Sequence, residues 1–230
     1  MSLAFPLSLP ELPIAGREDR FPVRRIYCVG RNYAEHAREM GASGREPPFF
    51  FAKPADAIVP VAAGTEGHAA YPPRTAELHH EVELVVAIGR AGANIPLAEA
   101  PAHVYGYAIG IDLTRRDLQA GLKQKGHPWE MAKAFDQSAP IGPLYPVAAC
   151  GHPAHGAIWL RIEGLERQHG DLADMIWSVP EVIAELSGYV ALRPGDLIFT
   201  GTPAGVGPVQ RGECLVAGID GLGELVLRLA

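Results

Sequence analysis

The chain has little cysteine: Cys28, Cys150 and Cys214 are its only three in 230 residues. They stand far apart and are odd in number, which excludes a disulfide framework and any zinc spacing. Buried or free thiols in a reducing compartment are the plain reading, so a cytoplasmic location is expected. No run of about 18 apolar residues occurs, so no transmembrane helix and no membrane partner are expected. The opening stretch MSLAFPLSLPELPIAG lacks a basic n-region and is interrupted by Pro6, Pro10 and Pro13, so no signal peptide is expected. A long basic run is missing too, and the formal net charge is −6, so nucleic-acid binding is not expected. With that overall field, an anionic ligand would need a local positive site. There is no internal repeat and no low-complexity tract.

What the chain does have is punctuation. Its 26 glycines and 21 prolines are spread between short apolar runs, which predicts many strands and few long helices. Strands are expected at 25–29, 49–52, 82–88, 105–111, 157–162, 197–199 and 225–229. Three short helices are expected. RNYAEHAREMG should end at Gly41. LTRRDLQAGLKQKG should start on a capping box made by Thr114 and Asp117 and stop at Gly126. MIWSVPEVIAELSGY should be capped by Ser178, with Pro180 in its first turn. The fold class is therefore α+β with β dominant.

Four clusters carry candidate chemistry. In LHHEVELVVAIG, Glu81 and Glu83 stand two residues apart at the mouth of an apolar strand. Residues i and i+2 of a strand share a face and lie roughly 6–7 Å apart. Asp112 ends a second strand, YGYAIGID. Two solvated glutamates and a helix-capping aspartate would read the same way. Together, however, three carboxylates can form an all-oxygen site for Mg²⁺ or Mn²⁺. His79 shares the Glu81/Glu83 face, so a mixed nitrogen/oxygen zinc site is a rival, whereas His80 should point away. Second, His36 and Glu39 are i, i+3 neighbours on the first helix. They read either as a surface pair or as a carboxylate-oriented imidazole acting as a general base. Arg31 precedes that helix, where an anion could bind. Third, Lys53, Arg115, Arg116 and Lys133 are scattered cations. Lys53, after an aromatic run and before a proline, is expected to be partly enclosed and, like Arg31, to bind the substrate. Fourth, FTGTPAGVGP is either a plain hairpin turn or a turn whose N–H groups and Thr200 or Thr202 hydroxyls hold a carboxylate. It is no P-loop, because no Lys-Ser/Thr follows the glycines.

In this order, YCVGRNYAEHAREMG, FFFAKPADAI, HHEVELVVAIG, YGYAIGIDLTRRDLQ, KGHPWEMAKAFDQSAPIGP and GDLIFTGTPAGVGPVQRGE resemble the fumarylacetoacetate hydrolase superfamily. The resemblance spans residues 22–230 and implies a single catalytic domain there, with 1–21 as an N-terminal extension. It implies a mixed β-roll, a divalent cation (Mg²⁺ or Mn²⁺) and a homodimer or larger homo-oligomer. It implies hydrolysis of a C–C bond in a small anionic diketo-acid. PPFFFAKPADAI and HHEVELVVAIG carry a narrower likeness to members that cleave 3-fumarylpyruvate in gentisate-type aromatic catabolism. Other acylpyruvates, or decarboxylation of oxaloacetate, are the alternatives; a non-catalytic binding protein is a third. The resemblance puts metal carboxylates at Glu81, Glu83 and Asp112, and the His–Glu dyad at His36 and Glu39. It puts an oxyanion-side Gln119 and an active-site Lys133 beside them, with Arg116 and Thr202 as substrate contacts. Cys214, in RGECL, departs from the Asp-like residue expected there.

Overall fold

The structure is a computed structural model; it describes residues 4–34 and 45–230. It is mostly β, with short helices. The larger sheet has eight strands. Seven follow one another in space: Phe49–Lys53, Arg25–Gly30, Asp196–Phe199, Val82–Ile88, Val104–Ile111, Ala139–Ile141 and Ile58–Pro60, while Tyr145–Pro146 adds to Val104–Ile111. The sheet is mixed. Asp196–Phe199 runs parallel to Arg25–Gly30 and antiparallel to Val82–Ile88. The second sheet has five strands in the order Leu165–Asp171, Ala157–Ile162, Cys214–Ile219, Gly223–Leu229 and Glu66–Ala69.

Side-chain alternation explains why Val82–Ile88 is a continuous apolar run. Every one of its residues is buried. Leu84, Val86 and Ile88 join Tyr107, Ile109 and Ile111 in a core shared with Ile158, Leu160 and Leu227 of the five-stranded sheet. Val85 and Ala87 face the opposite way, into a second core with Ile26, Cys28, Ala108, Leu197 and Phe199. A strand covered on both faces needs apolar residues at both parities. Leu12, Ile14 and Phe21 fill the edge of the second core, placed there by the hairpin of Glu11–Pro13 with Arg20–Pro22. Gly110 makes this packing possible, since a Cβ there would lie 2.6 Å from the Phe199 ring.

The helices differ in part from expectation. Val179–Tyr189 has Ser178 as N-cap, Pro180 in its first turn and a full capping box with Glu181. The helix after Asp112 runs Arg116–Gln124, and its N-cap is Arg115, with no side-chain cap. The expected Thr114/Asp117 capping box is not formed. Thr114 is drawn into a strand pair with His79, and the Asp117 carboxylate accepts from Thr75 Oγ1 (2.6 Å) and from the Ala76 and Leu118 amides. Gly126, at φ +65°, follows the helix as expected. The helix expected to end at Gly41 lies largely outside the described residues. No helix among them is long and apolar enough to cross a membrane.

Candidate active site

Glu83 has the parity of Val85 and Ala87, and Glu81 stands in the one-residue gap between Leu78–His80 and Val82–Ile88. Asp112 directly follows Val104–Ile111, and its amide donates to the Glu81 carbonyl (2.8 Å). The sheet thereby gathers three buried carboxylates with one oxygen of each within 4.8 Å of the others. Glu83 Oε2 accepts from the Gly201 amide at 2.6 Å. The carboxylate held by the FTGTPAG turn is thus the protein's own, and the turn is not a plain hairpin. The Thr200 hydroxyl donates instead to the Leu84 carbonyl (2.9 Å), while Thr202 faces the pocket.

Cations surround this acidic centre. Lys133 Nζ donates to Asp112 Oδ2 (2.6 Å) and Glu81 Oε2 (2.8 Å). Arg116 donates to Glu81 Oε1 and to Gln119 Oε1. Lys53 Nζ lies 2.8 Å from Asp112 Oδ1, its side chain fully buried. Burial works against the Lys133 charge, but Asp112 and Glu81 outweigh it and raise its pKa. Burial, then the nearby Asp112 and Glu81, pushes the Glu83 carboxyl well above the usual carboxylate range. Asp112 Oδ1 is ion-paired with Lys53 but buried without a hydrogen bond. Three hard, buried carboxylate donors gathered at one point fit Mg²⁺ or Mn²⁺. His79 is not in the cluster: it is half-buried, and its Nδ1 faces Arg116 Nε at 3.4 Å. The zinc alternative loses its nitrogen ligand, because the chain breaks strand geometry at Glu81.

A pocket opens on this centre, lined by Arg31, Phe51, Glu81, Glu83, Arg116, Gln119, Trp129, Lys133, Gly201 and Thr202, among others. The structure thus brings together Arg31, Arg116, Gln119, Lys133 and Thr202 with two of the three carboxylates. Lys53 does not line the pocket; it is set behind Asp112. His36 and Glu39 lie outside the described residues. Sequence reasoning missed two features. Trp129, which packs edge-on against Phe49 at 5.5 Å, was one, signalled only by the neighbouring aromatic run. The other is Gln168, treated below.

The family described as fumarylacetoacetate (FAA) hydrolase, C-terminal, matches residues 25–230, and the chain belongs to it. Among solved structures, a fumarylpyruvate hydrolase from Pseudomonas aeruginosa, in complex with Mn²⁺ and pyruvate, is 57% identical with a TM-score of 0.98. The match covers 100% of this chain and 99% of that one. A 5-carboxymethyl-2-hydroxymuconate delta-isomerase from Mycobacterium smegmatis is 32% identical with a TM-score of 0.78, over 92% of this chain and 80% of that one. The mitochondrial oxaloacetate tautomerase FAHD1 of Mus musculus is 42% identical over 200 residues, 86% of this chain and 88% of its own length. The chain is thus similar to proteins named as a hydrolase, an isomerase and a tautomerase.

Proposed function

We propose that the protein is a divalent-metal-dependent hydrolase that cleaves 3-fumarylpyruvate to fumarate and pyruvate. One observation carries this reading: the buried carboxylate triad sits beside a cation-lined pocket in a chain 57% identical, end to end, to a fumarylpyruvate hydrolase. Mg²⁺ or Mn²⁺ held by Glu81, Glu83 and Asp112 would supply a fixed positive charge for the enolate that forms on C–C cleavage.

The chain's own residues do the rest. His36, oriented by Glu39, takes a proton from water as the water oxygen adds to the fumaryl carbonyl carbon. Lys133 and Gln119 face the oxyanion, and each such donor is typically worth a few kcal/mol of barrier. The bond to the pyruvate C3 then breaks, its electron pair stays on the pyruvate fragment, and a proton returned there gives the methyl group. Arg116 and Thr202 hold the pyruvate end. Arg31 has no ion-pair partner among the described residues and lies over the Phe49 ring at 5.6 Å, so it is the cation available to the distal carboxylate. Lys53 balances charge behind Asp112 instead of touching substrate. The test is to supply the metal-loaded protein with fumarylpyruvate, acetylpyruvate and oxaloacetate and to follow pyruvate release. Fumarylpyruvate should give the highest kcat/KM, and EDTA should abolish turnover. No pyruvate from fumarylpyruvate would sink the hydrolase reading.

The 42% likeness to an oxaloacetate tautomerase favours a second reading. Keto–enol exchange needs the pocket and a base that moves the C3 proton, but no attacking water. The products distinguish the two readings: a hydrolase releases pyruvate from fumarylpyruvate, whereas a tautomerase only changes the enol absorbance of oxaloacetate. His36→Ala tests the hydrolytic base, since its loss should cut fumarylpyruvate hydrolysis by at least about 10²-fold. We also propose a homodimer or larger assembly; light scattering at the monomer mass of 24.6 kDa would contradict it.

A further inference from the structure

Gln168 lies on the five-stranded sheet, on Leu165–Asp171, yet its side chain ends between two segments of the site. It is 1% exposed. Its Oε1 meets the Val82 amide at 3.1 Å and His80 Nδ1 at 2.8 Å. Its Nε2 donates to Thr202 Oγ1 at 2.8 Å and to the Pro203 carbonyl at 3.0 Å. These partners fix the amide orientation. A backbone N–H can only donate, so the atom facing Val82 is the oxygen; a backbone carbonyl can only accept, so the atom facing Pro203 is the nitrogen. Two further roles follow. His80 must carry its proton on Nδ1, because it meets an acceptor. Thr202 Oγ1 must accept from Gln168, so its own O–H is left to donate elsewhere, and Thr202 lines the pocket.

The two segments gripped here are the ones that matter. Glu81 stands between His80 and Val82, and Glu83 follows them. Thr202 and Pro203 follow Gly201, whose amide holds Glu83. The loop sits directly on the Gln168 strand: a Cβ at Gly170 would lie 2.7 Å from Pro203 Cβ, and one at Gly205 would lie 2.1 Å from the Arg167 carbonyl oxygen. From this geometry we infer that Gln168 is a positioning residue, which pins the backbone between the two glutamates and keeps the Thr202 hydroxyl a hydrogen-bond donor toward the oxygens of a bound 2-oxo acid. The inference rests on the reading of this pocket as a metal and keto-acid site.

The test uses the full-length protein and two titrations by calorimetry, Mn²⁺ alone and pyruvate in the presence of Mn²⁺. Neither needs turnover, so a failure of the substrate assignment would not be confused with a failure here. Gln168→Met keeps the volume and removes all four bonds; it should weaken both Mn²⁺ and pyruvate binding by about tenfold or more. Gln168→Glu keeps acceptors for Val82 and His80 but cannot donate when ionised, so the Thr202 hydroxyl turns toward residue 168 and away from the pocket. This variant should bind pyruvate about tenfold more weakly while Mn²⁺ affinity stays within about threefold. Thr202→Val should reproduce the pyruvate loss, and combining it with Gln168→Glu should add little, because one hydroxyl is removed twice. If Gln168→Met does not fold, the Glu and Val variants and their double carry the test. Additive losses, or variants that lower the melting temperature while binding Mn²⁺ and pyruvate like the wild type, would overturn the inference.

Discussion

Among single residues, Lys133 shows how the acidic centre is balanced. Its ammonium bridges Glu81 and Asp112, at 2.8 and 2.6 Å, inside the protein. Removing one partner from a buried ion pair costs about 3–5 kcal/mol, because the other charge is left uncompensated. Lys133→Met should therefore lose several kcal/mol in urea unfolding with EDTA present. Mn²⁺ brings its own positive charge to the same carboxylates, so the loss should shrink when the ion is added. An equal loss with and without Mn²⁺ would mean that the lysine and the cation do not share these oxygens. Cys28 gives a second residue-level test. It is buried in the second core, and burial pushes its thiol pKa well up, whereas Cys150 and Cys214 are partly exposed. Thiolate is the reactive form. A thiol reagent at neutral pH should modify no more than two cysteines in the native protein, with the third appearing on denaturation. Three fast-reacting thiols would contradict the packing of that core.

At the level of elements, the turn after Asp196–Phe199 links the sheet to the site. Gly201 has φ +95°, and a Cβ there would meet Asn32 Cβ at 2.7 Å. Asn32 is itself tied to the Thr200 carbonyl at 2.8 Å and to the Trp177 backbone, so it cannot retreat cheaply. Gly201→Ala thus combines left-handed strain with a clash and should cost more than about 1 kcal/mol. Because the Gly201 amide holds Glu83, Mn²⁺ affinity should fall with stability; calorimetry showing normal Mn²⁺ binding would separate the turn from the cation site. Elements also explain what the sequence could reveal. Glu81, Glu83 and Asp112 were legible because carboxylates at the ends of apolar strand runs are a local signal, and the Ser178 cap was legible because its partners lie within one helical turn. The Thr114/Asp117 box failed because longer-range partners won: His79 across a strand pair, and Thr75 and Ala76 for the carboxylate. Gln168 was invisible for the same reason. Its partners lie 88, 86, 34 and 35 residues away in the chain, and no periodicity joins such positions.

For the whole molecule, the carboxylate cluster is a long-range tie. Its members stand on or beside two antiparallel strands of the eight-stranded sheet, and one of them is held by the turn leaving a third strand. An unfolded chain cannot present Glu81, Glu83 and Asp112 together, so an ion that binds there binds the native state alone and stabilises it by mass action. At a free concentration of a hundred times Kd, that gain is about 2.7 kcal/mol. For domains of this size each kcal/mol moves Tm by about 2–4 °C. Mn²⁺ at that excess should therefore raise Tm by about 5–11 °C over the EDTA-treated protein, and Mg²⁺ at equal concentration should rank the two ions by affinity. Glu83→Gln with Asp112→Asn removes two of the three charges but little volume, and the doubly substituted protein should lose the shift while still melting cooperatively. If Mn²⁺ stabilises that variant as much as the wild type, the ion binds elsewhere, and the three buried carboxylates need another explanation.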